Sequence, residues 1–107
     1  MKYGITFGIS ALLLSTFSSQ TLAHFPLMSC HIAQQKVLCE AGYSDGSTAV
    51  DYDVIMYDYD DNLIAKVATD KRSIAEFVLP KNDFYLVFDA GHESPVEVDV
   101  VEIEIKP

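Results

Sequence analysis

From residue 26 onward, apolar and polar residues alternate over short stretches that turn residues interrupt. A period of two is typical of β-strands with one buried face, and no helix-period stretch exceeds about two turns. The predicted strands are 26–32, 36–41, 52–58, 63–68, 74–79, 84–90 and 96–105. The pattern therefore predicts an all-β fold, a small antiparallel β-sandwich of about seven strands.

Two of these strands depart from simple alternation. Residues 84–90 are almost continuously apolar or aromatic, which predicts a central strand that is buried on both faces. Within 96–105 the alternation slips by one position at Val100-Val101, because two apolar residues follow each other there. The slip predicts a β-bulge or bend near Val100.

The first 23 residues have the layout of a secretion signal. Lys2 gives a positive start, residues 5–17 form an apolar stretch, and Thr21-Leu22-Ala23 ends in a small-x-small pattern. The stretch is shorter than the roughly 20 residues that span a bilayer, so we expect cleavage after Ala23 and no membrane insertion afterwards. Residues 24–107 would then form a single domain in an oxidising compartment, with the periplasm as the expected location.

The two cysteines fit that compartment. If 26–32 and 36–41 pair as a hairpin about Gln34-Gln35, Cys30 and Cys39 lie opposite each other. This arrangement predicts a disulfide. The competing interpretation, thiolate metal ligands beside His31, requires a reducing environment that export removes.

Charge narrows the range of partners. The chain carries a formal charge of −9, and removing Lys2 with the signal leaves six basic and sixteen acidic side chains, or −10. Binding to nucleic acid or to anionic membranes requires clustered Lys and Arg, and the sequence has no such cluster. The favoured charged partner is therefore a cation. A mature chain this short has little material for both a core and a deep pocket, and no catalytic motif stands out, so the prediction is that it is not an enzyme.

Several segments together resemble a known family. These are Gly42-Tyr43-Ser44-Asp45-Gly46-Ser47, residues 54–58, Phe77-Val78-Leu79-Pro80 and residues 85–92. They resemble the carboxypeptidase-regulatory-like (transthyretin-like) β-sandwich domains, and are most similar to small periplasmic accessory proteins of nickel and cobalt uptake. The resemblance implies an immunoglobulin- or transthyretin-like sandwich and a role beside a membrane transporter or another envelope protein. One departure is Lys71-Arg72-Ser73, where the family usually carries glycine.

The histidines are the candidate metal ligands. Cleavage after Ala23 would give His24 a free α-amine, which can chelate a metal together with ring Nδ1. One further imidazole would complete a three-nitrogen site that suits Cu(II) or Ni(II) and tolerates Co(II). His92 is the favoured second ligand because the resemblance puts it after a central strand, where loops gather. His31 is the alternative, although an extended first strand would hold it far from His24.

Two other interpretations remain beside the metal-binding hypothesis. Asp58, Asp60 and Asn62 have the alternating spacing of a calcium loop, but they lack its glycine and closing glutamate, which favours a solvated turn. The alternative function, from a different class, is a metal-free interaction module that docks on an envelope protein through a sheet edge or a tyrosine-rich face.

Overall fold

The computed structural model describes residues 24–91 and 93–106, which form two facing sheets of four strands each. The strands are β1 (Pro26–Ala33), β2 (Lys36–Tyr43), β3 (Asp53–Asp58), β4 (Leu63–Ala68), β5 (Ile74–Val78), β6 (Phe84–Phe88), β7 (Val96–Asp99) and β8 (Glu104–Ile105). The first sheet has the order β5-β2-β1-β8, and the second has the order β4-β3-β6-β7. The predicted all-β sandwich is confirmed, with eight strands in place of about seven.

The predicted signal segment 1–23 lies outside the described residues, so its cleavage stays a prediction. Within the described ranges, no helix has the length and apolar character needed to cross a bilayer.

The core lies between the sheets and follows the alternation of the strands. On β2 every second residue from Val37 to Tyr43 is buried, and on β6 the buried residues are Phe84, Leu86 and Phe88. Tyr85 and Val87 on the other face of β6 are only half-buried. The prediction that this strand is buried on both faces is therefore wrong: β6 is interior within its sheet, but no second layer covers its outer face among the described residues.

The β1–β2 hairpin has the predicted pairing. Cys30 lies directly opposite Cys39, with 4.0 Å between their Cα atoms, and the two form a disulfide. The turn between the strands consists of Gln34 and Gln35, whose φ angles of 52° and 66° are both in the left-handed region. Two-residue hairpins commonly use such turns because their twist matches that of the paired strands. The disulfide indicates an oxidising, extracytoplasmic setting.

Two buried hydroxyl groups fix the connection that leads from the first sheet to the second. Thr69 Oγ1 donates to the carbonyl of Ala49 at 2.6 Å and accepts from the amide of Tyr52 at 3.0 Å. Ser73 Oγ accepts from the amide of Ala49 at 3.1 Å. Because polar groups without partners are costly to bury, these bonds tie residues 49–52 firmly to the β4–β5 turn.

The phase slip near Val100 marks the point where the chain changes sheets. β7 ends at Asp99, whose carboxylate accepts from the amide of Val101 and caps a short 3₁₀ helix, Val100–Glu102. β8 then pairs with β1 in parallel, in the opposite sheet. The predicted bend is confirmed, but its form is a 3₁₀ turn and not a β-bulge.

We expect removal of the disulfide to destabilise the domain substantially. On the chain-entropy model, a closed loop of about ten residues contributes roughly 2.5–3 kcal/mol. The Cys30→Ala, Cys39→Ala double variant should lose about that much free energy of unfolding in urea titrations. Wild-type protein in a reducing agent is the matched control and should lose a similar amount, whereas an unchanged denaturation midpoint in both would contradict the prediction.

Substitution of the Gln34-Gln35 turn should raise the free energy of unfolding, in contrast to removal of the disulfide. Left-handed backbone costs a residue with a side chain about 1–2 kcal/mol, and Asn-Gly is the favoured pair for such hairpins. The Gln34→Asn, Gln35→Gly double variant should therefore gain roughly 0.5–1 kcal/mol, after subtraction of the extra chain entropy of glycine. Gln35→Ala is the control and should bring no gain, and a loss of stability in the Asn-Gly variant would contradict the proposed strain.

Candidate metal centre

His24 lies against the loop that follows β2. Phe25 continues the pairing of β1 with β2 beyond its last ladder position: its amide donates to Ser44 Oγ at 3.0 Å, and its carbonyl accepts from the amide of Ser44 at 2.8 Å. His24 therefore comes next to Asp45, and Nδ1 of its ring is 2.8 Å from Oδ2 of that carboxylate. Both side chains remain partly open to solvent, with 44% and 41% of their surfaces exposed.

The imidazole ring of His24 rests on an aromatic platform. It stacks on Tyr43 with 4.7 Å between ring centroids and planes that are 8° apart. Tyr43 is in turn packed edge-on against Tyr52, and Phe88 is 6.2 Å away. Because Tyr43 is a buried residue of the core, its burial, together with a hydrogen bond to Tyr52, raises the pKa of its phenol to about 12. The platform is thus neutral and anchored in the sandwich.

The conformation of the 44–47 loop directs the carboxylate of Asp45. Ser47 donates to Oδ1 of Asp45 twice, from its amide at 3.0 Å and from its hydroxyl at 2.7 Å, and this leaves Oδ2 facing His24. The two bonds from Ser47 are the main cause that lowers the pKa of Asp45 to about 2, with a smaller contribution from His24. The carboxylate is therefore ionised at neutral pH.

Two glycines allow the loop to close so tightly. Gly46 has a φ of +91°, and its amide donates to the carbonyl of Tyr43 at 2.9 Å. A Cβ atom on Gly42 would lie 3.1 Å from the carbonyl oxygen of Ser47. We refer to His24, Tyr43, Asp45 and Ser47 below as the candidate site.

His31 is not part of this site. It lies on β1 opposite Leu38, seven positions along an extended chain from His24, which is a span of about 23 Å. The chain does not double back at Pro26, because Pro26 is already paired with Tyr43. His31 instead lines a small groove of about 140 Å³ on the outer face of the first sheet. The structure does not bring the two histidines together.

The predicted second ligand, His92, lies outside the described residues. β6, which precedes it, ends at Phe88, and the ring of Phe88 packs near Tyr43. The described end of β6 therefore lies at the same end of the sandwich as His24. Whether His92 takes part in the site stays a prediction.

The site combines nitrogen and oxygen donors from few residues. Within 24–91 and 93–106, no three His, Cys, Asp or Glu side chains are gathered to hold a metal ion. Cys30 and Cys39 are joined in the disulfide, which excludes the thiolate interpretation. A chelate here depends on the α-amine that processing would release, because His24 would then supply two donors.

Sequence reasoning missed Asp45, although the signal was present. In the hairpin that aligns Cys30 with Cys39, each further step pairs one residue earlier in β1 with one residue later in β2. Continuing that register beyond Pro26 and Tyr43 sets His24 opposite Asp45. The predicted strand 36–41 ends two residues short of the end of β2, so the sequence pattern alone does not extend the register to Asp45.

Comparisons with protein-family models, with curated proteins and with solved structures gave no match. The resemblance to the carboxypeptidase-regulatory-like domains accordingly remains an expectation from the sequence.

The backbone of Gly46 provides a test of the loop. A β-branched residue at a φ of +91° is strained, so Gly46→Val should lower the free energy of unfolding by roughly 1–2 kcal/mol. Gly46→Asn should cost less, because asparagine tolerates positive φ better than other residues with a side chain. Urea denaturation of the three proteins would check this order, and equal stability of the Val and Asn variants would contradict it.

Proposed function

We propose that this chain is an exported accessory protein that binds a divalent transition metal ion through His24, for uptake, delivery or buffering of the ion. The metal would be Ni(II), Co(II) or Cu(II), bound by the α-amine and Nδ1 of His24 after cleavage behind Ala23. The expected location is the periplasm, and the expected partner is a membrane transporter or another envelope protein. The role is not enzymatic.

The observation that carries the proposal is the fixed position of the His24 imidazole. The ring is stacked on a buried tyrosine, stays partly exposed, and has an ionised carboxylate 2.8 Å from Nδ1. A chelating residue at the start of a chain is ordinarily mobile, and holding it in place lowers the entropy cost of binding. The neighbouring negative charge favours a cation over any other small ligand.

Other features support the same proposal. The disulfide fits a protein made for an oxidising compartment. The acidic excess of the chain raises the local concentration of cations without choosing among metals. The resemblance seen in the sequence favours nickel or cobalt, whereas by the Irving–Williams order copper would bind most tightly in vitro.

Calorimetric titration tests the proposal. Ni(II), Cu(II), Co(II) and Zn(II) would be titrated into protein that begins at His24, beside a form with one extra residue ahead of His24. We expect tight one-to-one binding that the extra residue weakens by at least about 10- to 100-fold, the loss that even an outer-shell partner of a ligand brings, because the α-amine of His24 becomes a peptide nitrogen and leaves the chelate. Weak binding of equal strength in both forms would contradict the proposal.

A metal-free interaction module is the second candidate, and one surface favours it. β4 is the outermost strand of its sheet, and it exposes Leu63 and Ile64, with 59% and 41% of their surfaces open. Such an edge can accept a strand from another protein. Replacement of His24 by alanine distinguishes the two functions. It should abolish metal binding through His24, whereas docking through β4 should be unchanged.

A further inference from the structure

His24 has a carboxylate neighbour within the described residues, Asp45. We propose that Asp45 is a direct ligand, so that the ion is held by the α-amine and Nδ1 of His24 together with Oδ2 of Asp45. This inference rests on the proposed function, because it names a further ligand of the same site. It adds one carboxylate oxygen to the two nitrogen donors of His24, and it is independent of the prediction for His92.

The distance between the two side-chain donors fits a shared ion. Nitrogen and carboxylate oxygen bind divalent zinc, a guide to such first-row ions, at about 2.0–2.2 Å, so two donors at a right angle on one ion stand about 2.9 Å apart. Nδ1 of His24 and Oδ2 of Asp45 are 2.8 Å apart. An ion bound to both atoms would lie to one side of the line that joins them, so binding requires loss of the Nδ1 proton and a turn of the imidazole or the carboxylate toward the ion, but no change in the distance between the two donors.

The carboxylate is oriented before any ion arrives. Oδ1 of Asp45 is occupied by the two bonds from Ser47, and Oδ2 is the oxygen that faces His24. A supporting residue that fixes the orientation of a ligand is a regular feature of protein metal sites. On this argument Ser47 is a positioning residue, and Asp45 binds through one oxygen.

The imidazole is oriented in the same way from the opposite side. The stacked Tyr43 limits rotation of the ring, and the paired Phe25 fixes the backbone one residue after His24. Both donors are thus anchored to the end of a single hairpin. His31 is too far along β1 to replace either donor.

The contact has a simpler explanation, in which Nδ1 only donates a hydrogen bond to Asp45. Exposed bonds of this kind contribute little to stability, and this one would then serve to attach the start of the chain to the loop. The two explanations predict opposite effects of Asp45 on metal affinity. If Asp45 is a ligand it strengthens metal binding, whereas if it is only a hydrogen-bond acceptor it competes with the metal ion for Nδ1 of His24.

Substitution of Asp45 distinguishes these explanations by calorimetry with Ni(II). Asp45→Asn keeps the shape and the acceptor for Ser47 but removes the anionic donor, and we expect affinity to fall by about 10- to 100-fold in protein that begins at His24. Asp60→Asn is the matched control, with the same loss of charge in the β3–β4 turn, where Asp60 is exposed. It should stay within about two-fold of wild type, since a distant exposed charge acts only through screened electrostatics.

A donor swap makes the test independent of folding effects. Asp45→His restores a metal-binding atom at the same position and should recover most of the Ni(II) affinity that Asp45→Asn loses. Electron paramagnetic resonance of the Cu(II)-loaded Asp45→His protein should also show one more coordinating nitrogen than wild type. Circular dichroism would verify that each variant is folded.

Each outcome bears on one of the two proposals. If Asp45→Asn binds Ni(II) as tightly as Asp60→Asn, or if Asp45→His behaves like Asp45→Asn, Asp45 is not a ligand, although binding through His24 would stand. If wild type beginning at His24 does not bind Ni(II) in the first place, the proposed function fails, and the ligand assignment fails with it.

Discussion

The register of the β1–β2 hairpin is the constraint on which the candidate site depends. The Cys30–Cys39 disulfide joins one pair of this register covalently, and this one pair determines which residues of β1 and β2 face each other along the rest of the hairpin. A slip by one residue would turn alternate side chains to the opposite face and move Tyr43 out of the core. It would also carry His24 past Asp45. The same bond that stabilises a small domain therefore sets the meeting of the two side chains at the far end of the hairpin.

The fold positions the candidate site, whereas the contacts within the site contribute little to the stability of the fold. The contact between His24 and Asp45 is exposed, and exposed pairs of this kind contribute little to stability. The buried ring of Tyr43 and the hydroxyls of Thr69 and Ser73 are the elements that fix this end of the sandwich. The position of His24 and Asp45 at this end of the sandwich is therefore set by the packing beneath them.

Much of the architecture could be predicted from alternation and turn residues. The hairpin, the disulfide and the bend near Val100 were all visible in the sequence, since each leaves a local pattern. The prediction that residues 84–90 are buried on both faces was wrong. Apolar composition does not distinguish a core face from a half-buried outer face such as the one that bears Tyr85 and Val87. For the candidate site, the sequence named His24 from its position, and its role as a ligand stays a prediction. Its neighbour Asp45 required the exact extent of β2, and strand ends are weakly encoded.

The parallel pairing of β8 gives the molecule two unlike ends. β8 lies beside His31 and Ile32, and the amide of Lys106 donates to the carbonyl of Ile32 at 2.8 Å. The last described residues are thus held near the turn of the first hairpin, a strand length of roughly 25 Å from His24. Anything joined to the chain after Lys106 would extend from that distal end. A label, a surface attachment or a fused domain at this point would therefore be joined to the sandwich at the end opposite His24.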